Sequence, residues 1–172
     1  MALFALDQGF ALPIVNVLRE YQADAELVSF GEIDSRLAEL EDWQVLLALH
    51  HHPRPWDGLI TTDSSMLNQA LELSTLAQTK LTLVVAMGAG HDPVKASGLL
   101  FAYLSRICAL TRPDIGQVWR LKAGNIQPSD PVELIEGLAD HQNVPAVELI
   151  ESSRLDDATF ARDPLAPAEL SG

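Results

Sequence analysis

The run Leu81-Thr82-Leu83-Val84-Val85-Ala86-Met87 constrains the fold of this chain more than any other segment. It is short, uncharged and almost continuously apolar. A strand with one face in water alternates apolar and polar residues, whereas a strand covered on both faces reads as one apolar run. Parallel sheets are the usual case, because the helices that connect parallel strands lie over both faces. Gly88-Ala89-Gly90 ends the run, and Asp92-Pro93 opens a long helix over about 93–110, with Asp at the N-cap and Pro in the first turn.

The same alternation recurs along the chain. Strands are predicted at 3–6, 26–30, 58–62 and 117–121. Between them, a helix is predicted over 12–22, with Pro13 in its first turn and Ile14, Val17, Leu18 and Tyr21 on one face. Gly31 ends the second strand, and Asp34-Ser35 cap helical sequence carrying Leu37 and Leu40. A further helical segment covers roughly 42–51 and stops at His50-His51-His52-Pro53-Arg54-Pro55, since proline cannot continue a helix. Neighbouring histidines do not face one another on a helix, so a structural role is expected for these three. Ser64-Ser65 are predicted to cap a helix over 66–77. Strands alternating with helices give an α/β fold, a three-layer sandwich with a mostly parallel central sheet over residues 1–121. Residues 122–172 read as a C-terminal extension punctuated by Pro128, Pro131, Pro145, Pro164 and Pro167. The expectation there is one short helix at 131–139 capped by Ser129 or Asp130, an edge strand at 144–150, and a mobile, acidic, Pro-rich tail from about Asp156.

Composition narrows function. The chain has 172 residues, enough for one domain with a real core, and 48% of them are hydrophobic. Its 11 Lys and Arg stand against 24 Asp and Glu, a net charge of −13, which excludes a broad electrostatic footprint for nucleic acid. A nuclease working through bound metal and a local basic rim remains compatible. The single cysteine, Cys108, rules out an internal disulfide and falls in a helical pattern with Leu104, Ile107 and Leu110, the place of a small buried hydrophobe. No basic segment precedes an apolar one at the start, and no apolar stretch approaches the ~20 residues that span a bilayer. A soluble cytoplasmic protein with no membrane contact is expected.

Three aspartates carry the functional signal. Asp7 follows the first predicted strand, Asp63 follows the third, and Asp42 heads the helical stretch between them. The carboxyl ends of strands in an open parallel sheet form the crevice where ligands bind. Carboxylates gathered there repel one another unless a cation joins them, and hard divalent cations such as Mg2+ take oxygen ligands. Each acid also has an ordinary use: Asp63 as a helix cap, Asp7 in a loop, Asp42 in a first helical turn that favours negative charge. Gly88-Ala89-Gly90 lacks the spacing of a dinucleotide or phosphate cradle and reads as a tight turn, although a ligand over it would make the chain a small-molecule-binding protein. Asp92 is used as a cap, and no nucleophile-elbow sequence occurs.

Leu6-Asp7-x-x-Phe10-x-Leu12-Pro13, then Asp42-x-x-Val45-Leu46-x-x-Leu49, then Leu59-Ile60-Thr61-Thr62-Asp63-x-x-Met66 together resemble the PIN-like family. The resemblance is to a small bacterial branch with L-D-E-N-L-P, D-E-E-I-L and V-T-x-D-x-D-F patterns, and it covers about residues 1–121. It implies a Mg2+- or Mn2+-dependent ribonuclease, many relatives being toxins of toxin–antitoxin pairs. RNA would then be the substrate, with an antitoxin or a second copy of the chain as protein partner. Carried across, the catalytic metal ligands are Asp7, Asp42 (with Glu41 and Asp34 as rivals) and Asp63. Thr61 or Thr62 is the associated hydroxyl, and Thr62 or Ser64 would orient a ligand or water. The chain departs from the branch at Gln8, at Ser65 and Met66, and in having no clear fourth carboxylate. Those departures imply the alternative, a catalytically degenerate PIN-like binding or assembly module.

Overall fold

A computed structural model describes residues 1–167. The elements in order are β1 (Ala2–Leu6), α1 (Leu12–Tyr21), β2 (Ala25–Ser29), the single turn α2 (Phe30–Ile33), α3 (Asp42–His51), β3 (Gly58–Thr61), α4 (Ala70–Thr79), β4 (Thr82–Ala86), α5 (Pro93–Leu110), β5 (Gln117–Leu121), α6 (Pro131–Gln142), α7 (Ala146–Ser153) and α8 (Asp157–Phe160). Short 3-10 turns cover Ser35–Glu39 and Ser64–Asn68. The five strands pair in the order β2-β1-β3-β4-β5, each pair parallel. All of β4 is buried, as its unbroken apolar run requires.

Side chains alternate across the sheet with the period of two that a pleated strand imposes. Leu3, Ala5, Leu59, Leu83, Val85 and Val118 face one layer, where they meet Val45, Leu46 and Leu49 of α3, Leu73 and Leu76 of α4, and Ile135 of α6. Phe4, Leu6, Ile60, Val84, Trp119 and Leu121 face the other, against Val15 and Leu18 of α1 and Leu100, Leu104 and Ile107 of α5. The result is an α/β sandwich with helices on both faces of a parallel sheet. Among the described residues no helix is long and apolar enough to cross a membrane.

Several expectations need correction. Helix α1 buries Val15 and Leu18, while Val17 and Tyr21 are exposed. Its rotation is set in part by Arg19, whose Nε donates to the carbonyl of Leu27 on the outer strand and whose guanidinium pairs with Glu32. Tyr21 instead lies edge-on to Phe101 of α5, ring centroids 6.3 Å apart. The turn after β3 is capped by Asp63, not by Ser64 or Ser65: its carboxylate accepts the N–H of Ser65 at 2.8 Å. A 3-10 turn then buries Met66, so the helix starts at Ala70 instead of 66.

Beyond β5 the described residues form three helices, not one. The predicted edge strand at 144–150 is largely α7. Asn143 takes a left-handed conformation (φ 54°) to end α6, and the N–H of Val144 returns to the carbonyl of Ala139 at 3.0 Å. Pro145 then starts the next helix, which packs half-buried Leu149 and Ile150 into the α3–α4 layer. The outer edge of β5 receives a single antiparallel bridge, Val118 to Ser129. Residues 156–167, expected to begin a mobile tail, lie against the domain. His51 Nε2 is 2.7 Å from the carbonyl oxygen of Phe160, and Arg36 donates to the carbonyl of Leu165 at 3.0 Å. The remainder of that expected tail, 168–172, lies outside the described residues. The histidines have separate structural contacts: His50 against the Phe160 ring, His51 on that backbone, and His52 Nδ1 accepting the N–H of Arg54.

Gly58 permits the tightest strand contact. A Cβ there would sit 1.8 Å from the carbonyl oxygen of Thr82 and 3.0 Å from the Phe4 ring. Gly58→Ala is therefore expected to destabilise the fold by about 3 kcal/mol or more, the upper range for overpacking. Gly31→Ala, with nothing within 4 Å, should be close to neutral. Urea unfolding of the two variants checks this, and equal midpoints would refute the packing argument.

Candidate functional site

β1 pairs with β2 on one side and β3 on the other, so the chain reverses its direction across the sheet between β1 and β3. Loops leaving the two strands diverge at that point and leave a crevice at their carboxyl ends. A cavity of about 230 Å3 lies there. Asp7, Gln8, Asp42, Thr61, Thr62 and Asp63 form its polar wall over a floor that includes Leu37, Val45 and Met66. The fold thus brings all three predicted acids to one cavity. Thr62 joins them on the wall, whereas Ser64 does not line it and begins the following turn.

Asp7 extends the sheet ladder one residue beyond β1, its N–H donating to the carbonyl of Ile60 at 3.1 Å. Its Oδ1 accepts the N–H of Gly9 at 2.9 Å, and its Oδ2 accepts the hydroxyl of Thr61. The Thr61 oxygen in turn accepts the N–H of Asp63 at 2.9 Å. One buried hydroxyl therefore joins the first and third acids, and Thr61, of the two threonines considered, is the residue bonded to Asp7. Position 9 is crowded: a Cβ there would lie 2.5 Å from Thr62 Oγ1 and 3.0 Å from Asp7 Oδ1, so a larger residue would displace these side chains.

Asp42 stands in the first turn of α3 and has no side-chain hydrogen bond among the described residues. Its two rivals are engaged elsewhere. Glu41 accepts the indole N–H of Trp43 at 2.8 Å. Asp34 caps the Ser35–Glu39 turn and holds the Arg36 guanidinium, which lowers its pKa to about 2.

Burial raises the pKa of Asp7, and the charges of Asp63 and Asp42 push the same way, against the opposing hydrogen bonds from Thr61 and Gly9. Burial also raises Asp42, followed by the charges of Asp63 and Glu41. Such mutual repulsion is how acids behave in a shared cleft without a counter-charge. A further acid was missed in the sequence. Glu72, in the first turn of α4, is only 6% exposed, and its pKa is raised by burial and by the charges of Asp42 and Glu41. The Gln69 amide, with its nitrogen turned inward, donates to Glu72 at 3.2 Å. An acid in a first helical turn is ordinary dipole chemistry, so nothing in its spacing distinguished Glu72. It stands behind Asp42 and does not line the cavity.

The donor set is hard oxygen, the type that suits Mg2+ or Mn2+. Asp7 and Asp63 each have a carboxylate oxygen turned to a local backbone N–H. Among the described residues, no three His, Cys, Asp or Glu side chains are gathered closely enough to hold an ion. The acids share a cavity rather than a closed coordination cluster.

Other candidates carry less. The Gly88–Gly90 turn is closed by its own neighbours, with Lys95 Nζ donating to the Gly88 carbonyl at 3.3 Å and Asp92 capping the N–H of Lys95 at 3.0 Å. Burial pushes the Cys108 thiol up to about 11, which leaves it unreactive at neutral pH. No protein-family model, curated protein or solved structure matches the chain.

The raised pKa of Asp42 has a stability consequence. Its folded value lies above the ordinary 3.8, so the folded state holds the extra proton. The contribution is fully present below that ordinary value and is lost as pH rises through the folded value. At pH 7 in EDTA the carboxylate thus weakens the fold, and Asp42→Asn should raise Tm by about 2 °C, the scale of a sub-kcal/mol change in a chain of this length. Near pH 3 the two proteins should melt together. A variant that melts below wild type at pH 7 would contradict the assigned repulsion.

Proposed function

We propose that this chain is a metal-dependent ribonuclease of PIN-like type, acting at the Asp7, Asp42 and Asp63 cavity. The observation that carries the proposal is the meeting of three acids from separate parts of the chain at one sheet switch point, over a hydroxyl that bonds Asp7 and receives the N–H of Asp63. The helix dipole favours an acid in the first turn of α3, but it does not account for Asp42 sharing a cavity with two further acids.

Asp7, Asp42 and Asp63 would hold one or two Mg2+ or Mn2+ ions. Bound metal supplies a water of lowered pKa and stabilises charge on phosphate oxygens. The chain's own residues do the positioning. Thr61 holds Asp7 and Asp63 in fixed relation, and Gly9 leaves room for Thr62 at the cavity wall. The apolar floor limits water behind the acids. The same resemblance supports a toxin-type role with a protein antitoxin.

A second reading has its own support. The absence of a closed acid cluster among the described residues, with a net charge of −13, favours a degenerate module that binds a partner without catalysis.

Titration calorimetry of Mn2+ and Mg2+ decides between them. On the ribonuclease reading, wild type binds metal and Asp63→Asn loses it, with RNA cleavage falling by about 100-fold or more. Thr61→Val should keep the fold yet weaken metal binding by about 10- to 100-fold, as loss of a group that orients a ligand does. Wild-type protein that neither binds metal alone nor cleaves single-stranded RNA in millimolar Mn2+ would leave the degenerate module.

A further inference from the structure

A second cavity, of about 410 Å3, lies along α3, whose Trp43 follows Asp42 in the chain. Trp43, Gln44 and Leu47 of α3 form one side; Arg162 and Pro164, just beyond α8, form much of the other. Three features distinguish it. The first is the Trp43 ring, which adjoins Asp42 in the chain and is half-buried, while Trp56 and Trp119 are 6% and 0% exposed. Its indole N–H donates to Glu41 at 2.8 Å, so the orientation of the ring is held. The second is the Gln44 amide. Its oxygen accepts the N–H of Glu41 at 3.0 Å, which leaves its NH2 as the donor it can offer. The third is charge. Arg19, Arg36, Arg54 and Arg112 are each paired with an acid; Arg106, Arg120, Arg154 and Arg162 are exposed and have no ion pair among the described residues, and of these four it is Arg162 that lines the cavity with Trp43. In a chain of net charge −13, a guanidinium without an ion pair among the described residues, lining one cavity with an oriented indole, is a specific arrangement.

From this geometry we infer a base-binding subsite for single-stranded nucleic acid: a nucleobase stacks on Trp43, the Gln44 amide donates to its edge, and a flanking phosphate meets Arg162. Proteins hold unpaired bases by stacking them on aromatic faces while basic residues meet the backbone, and here Trp43 offers the face and Arg162 the charge. The inference rests on the ribonuclease reading in one respect, that the strand continues from this subsite toward Asp42.

Tryptophan fluorescence tests it, because Trp43 is the indole open to a ligand. The probe is a short oligoadenylate in EDTA, so binding is read without cleavage. Oligoadenylate should quench wild type, and an abasic strand of equal length should not. Anisotropy of the labelled strand should show binding about tenfold weaker in Trp43→Ala. Arg162→Glu, an exposed change that leaves the core intact, should weaken binding and reduce its dependence on salt. Trp43→Phe should keep the binding and lose the quenching. Equal binding of the abasic strand, or unchanged binding in both Trp43→Ala and Arg162→Glu, would overturn the subsite. Mn2+ binding without quenching defeats this inference alone. Quenching in a wild type that neither binds metal nor cleaves RNA in Mn2+ defeats the ribonuclease reading and leaves the base subsite standing.

Discussion

The parallel pairing of β1 with β3 is the constraint on which the site depends. Phe4, Ala5 and Leu6 register with Gly58, Leu59 and Ile60, and the ladder continues to the N–H of Asp7 on the Ile60 carbonyl. That register puts the last residues of both strands at one level. Asp7 and Thr61 then meet, and Thr61 carries the connection to Asp63. A slip of one residue would turn Thr61 to the opposite face and exchange the two apolar sets of β3 between layers. The same side chains that fill the core therefore set the position of the acids. Gly58, pressed against Thr82 and Phe4, lets the central strands close to that register.

The acids are held at some cost. Burial and mutual charge oppose ionisation at Asp7, Asp42 and Glu72, and the mixed hydrogen bonds to Asp7 offset only part of this. Proteins seldom keep such a group for stability, since replacing it usually strengthens the fold. As a structural device the arrangement leaves repulsion uncompensated, because Asp42 is not the N-cap of α3 and pairs with no cation among the described residues. A cation in the cavity would reverse the balance.

How much of this was legible in the sequence follows from what kind of interaction sets each feature. The buried strand β4 and the Asp92-Pro93 helix start are local matters of composition and backbone geometry, and both were readable. The meeting of Asp7 and Asp63 followed from the rule that strand ends share one edge of a parallel sheet. Rotation of α1 was not readable, because Val15 and Val17 are equally apolar and Arg19 decides through a carbonyl distant in the chain. Nor was α7, whose apolar residues in a short segment fit either period. Its helical state depends on the αL turn at Asn143 and on packing against α4. Glu72 and the Trp43 cavity are tertiary: one needs the position of α4 relative to Asp42, the other needs α8 folded back on α3.

That last contact changes what the strong negative charge means for a polyanionic ligand. A net charge of −13 repels nucleic acid at long range, but salt screens this beyond about 8–10 Å, and recognition is then decided locally. Four arginines are neutralised by neighbouring acids and add little attraction. Arg162 is presented by the segment after α8, which the Phe160 backbone fixes to His51. The C-terminal helices thereby place Arg162 along one cavity with the Trp43 indole. On the proposed reading a strand is held at the Trp43 side, and bare carboxylates at the Asp7 cavity oppose its further advance. Metal bound among those carboxylates removes the opposition, so ion binding and strand binding should be mutually reinforcing, by the same factor in both directions.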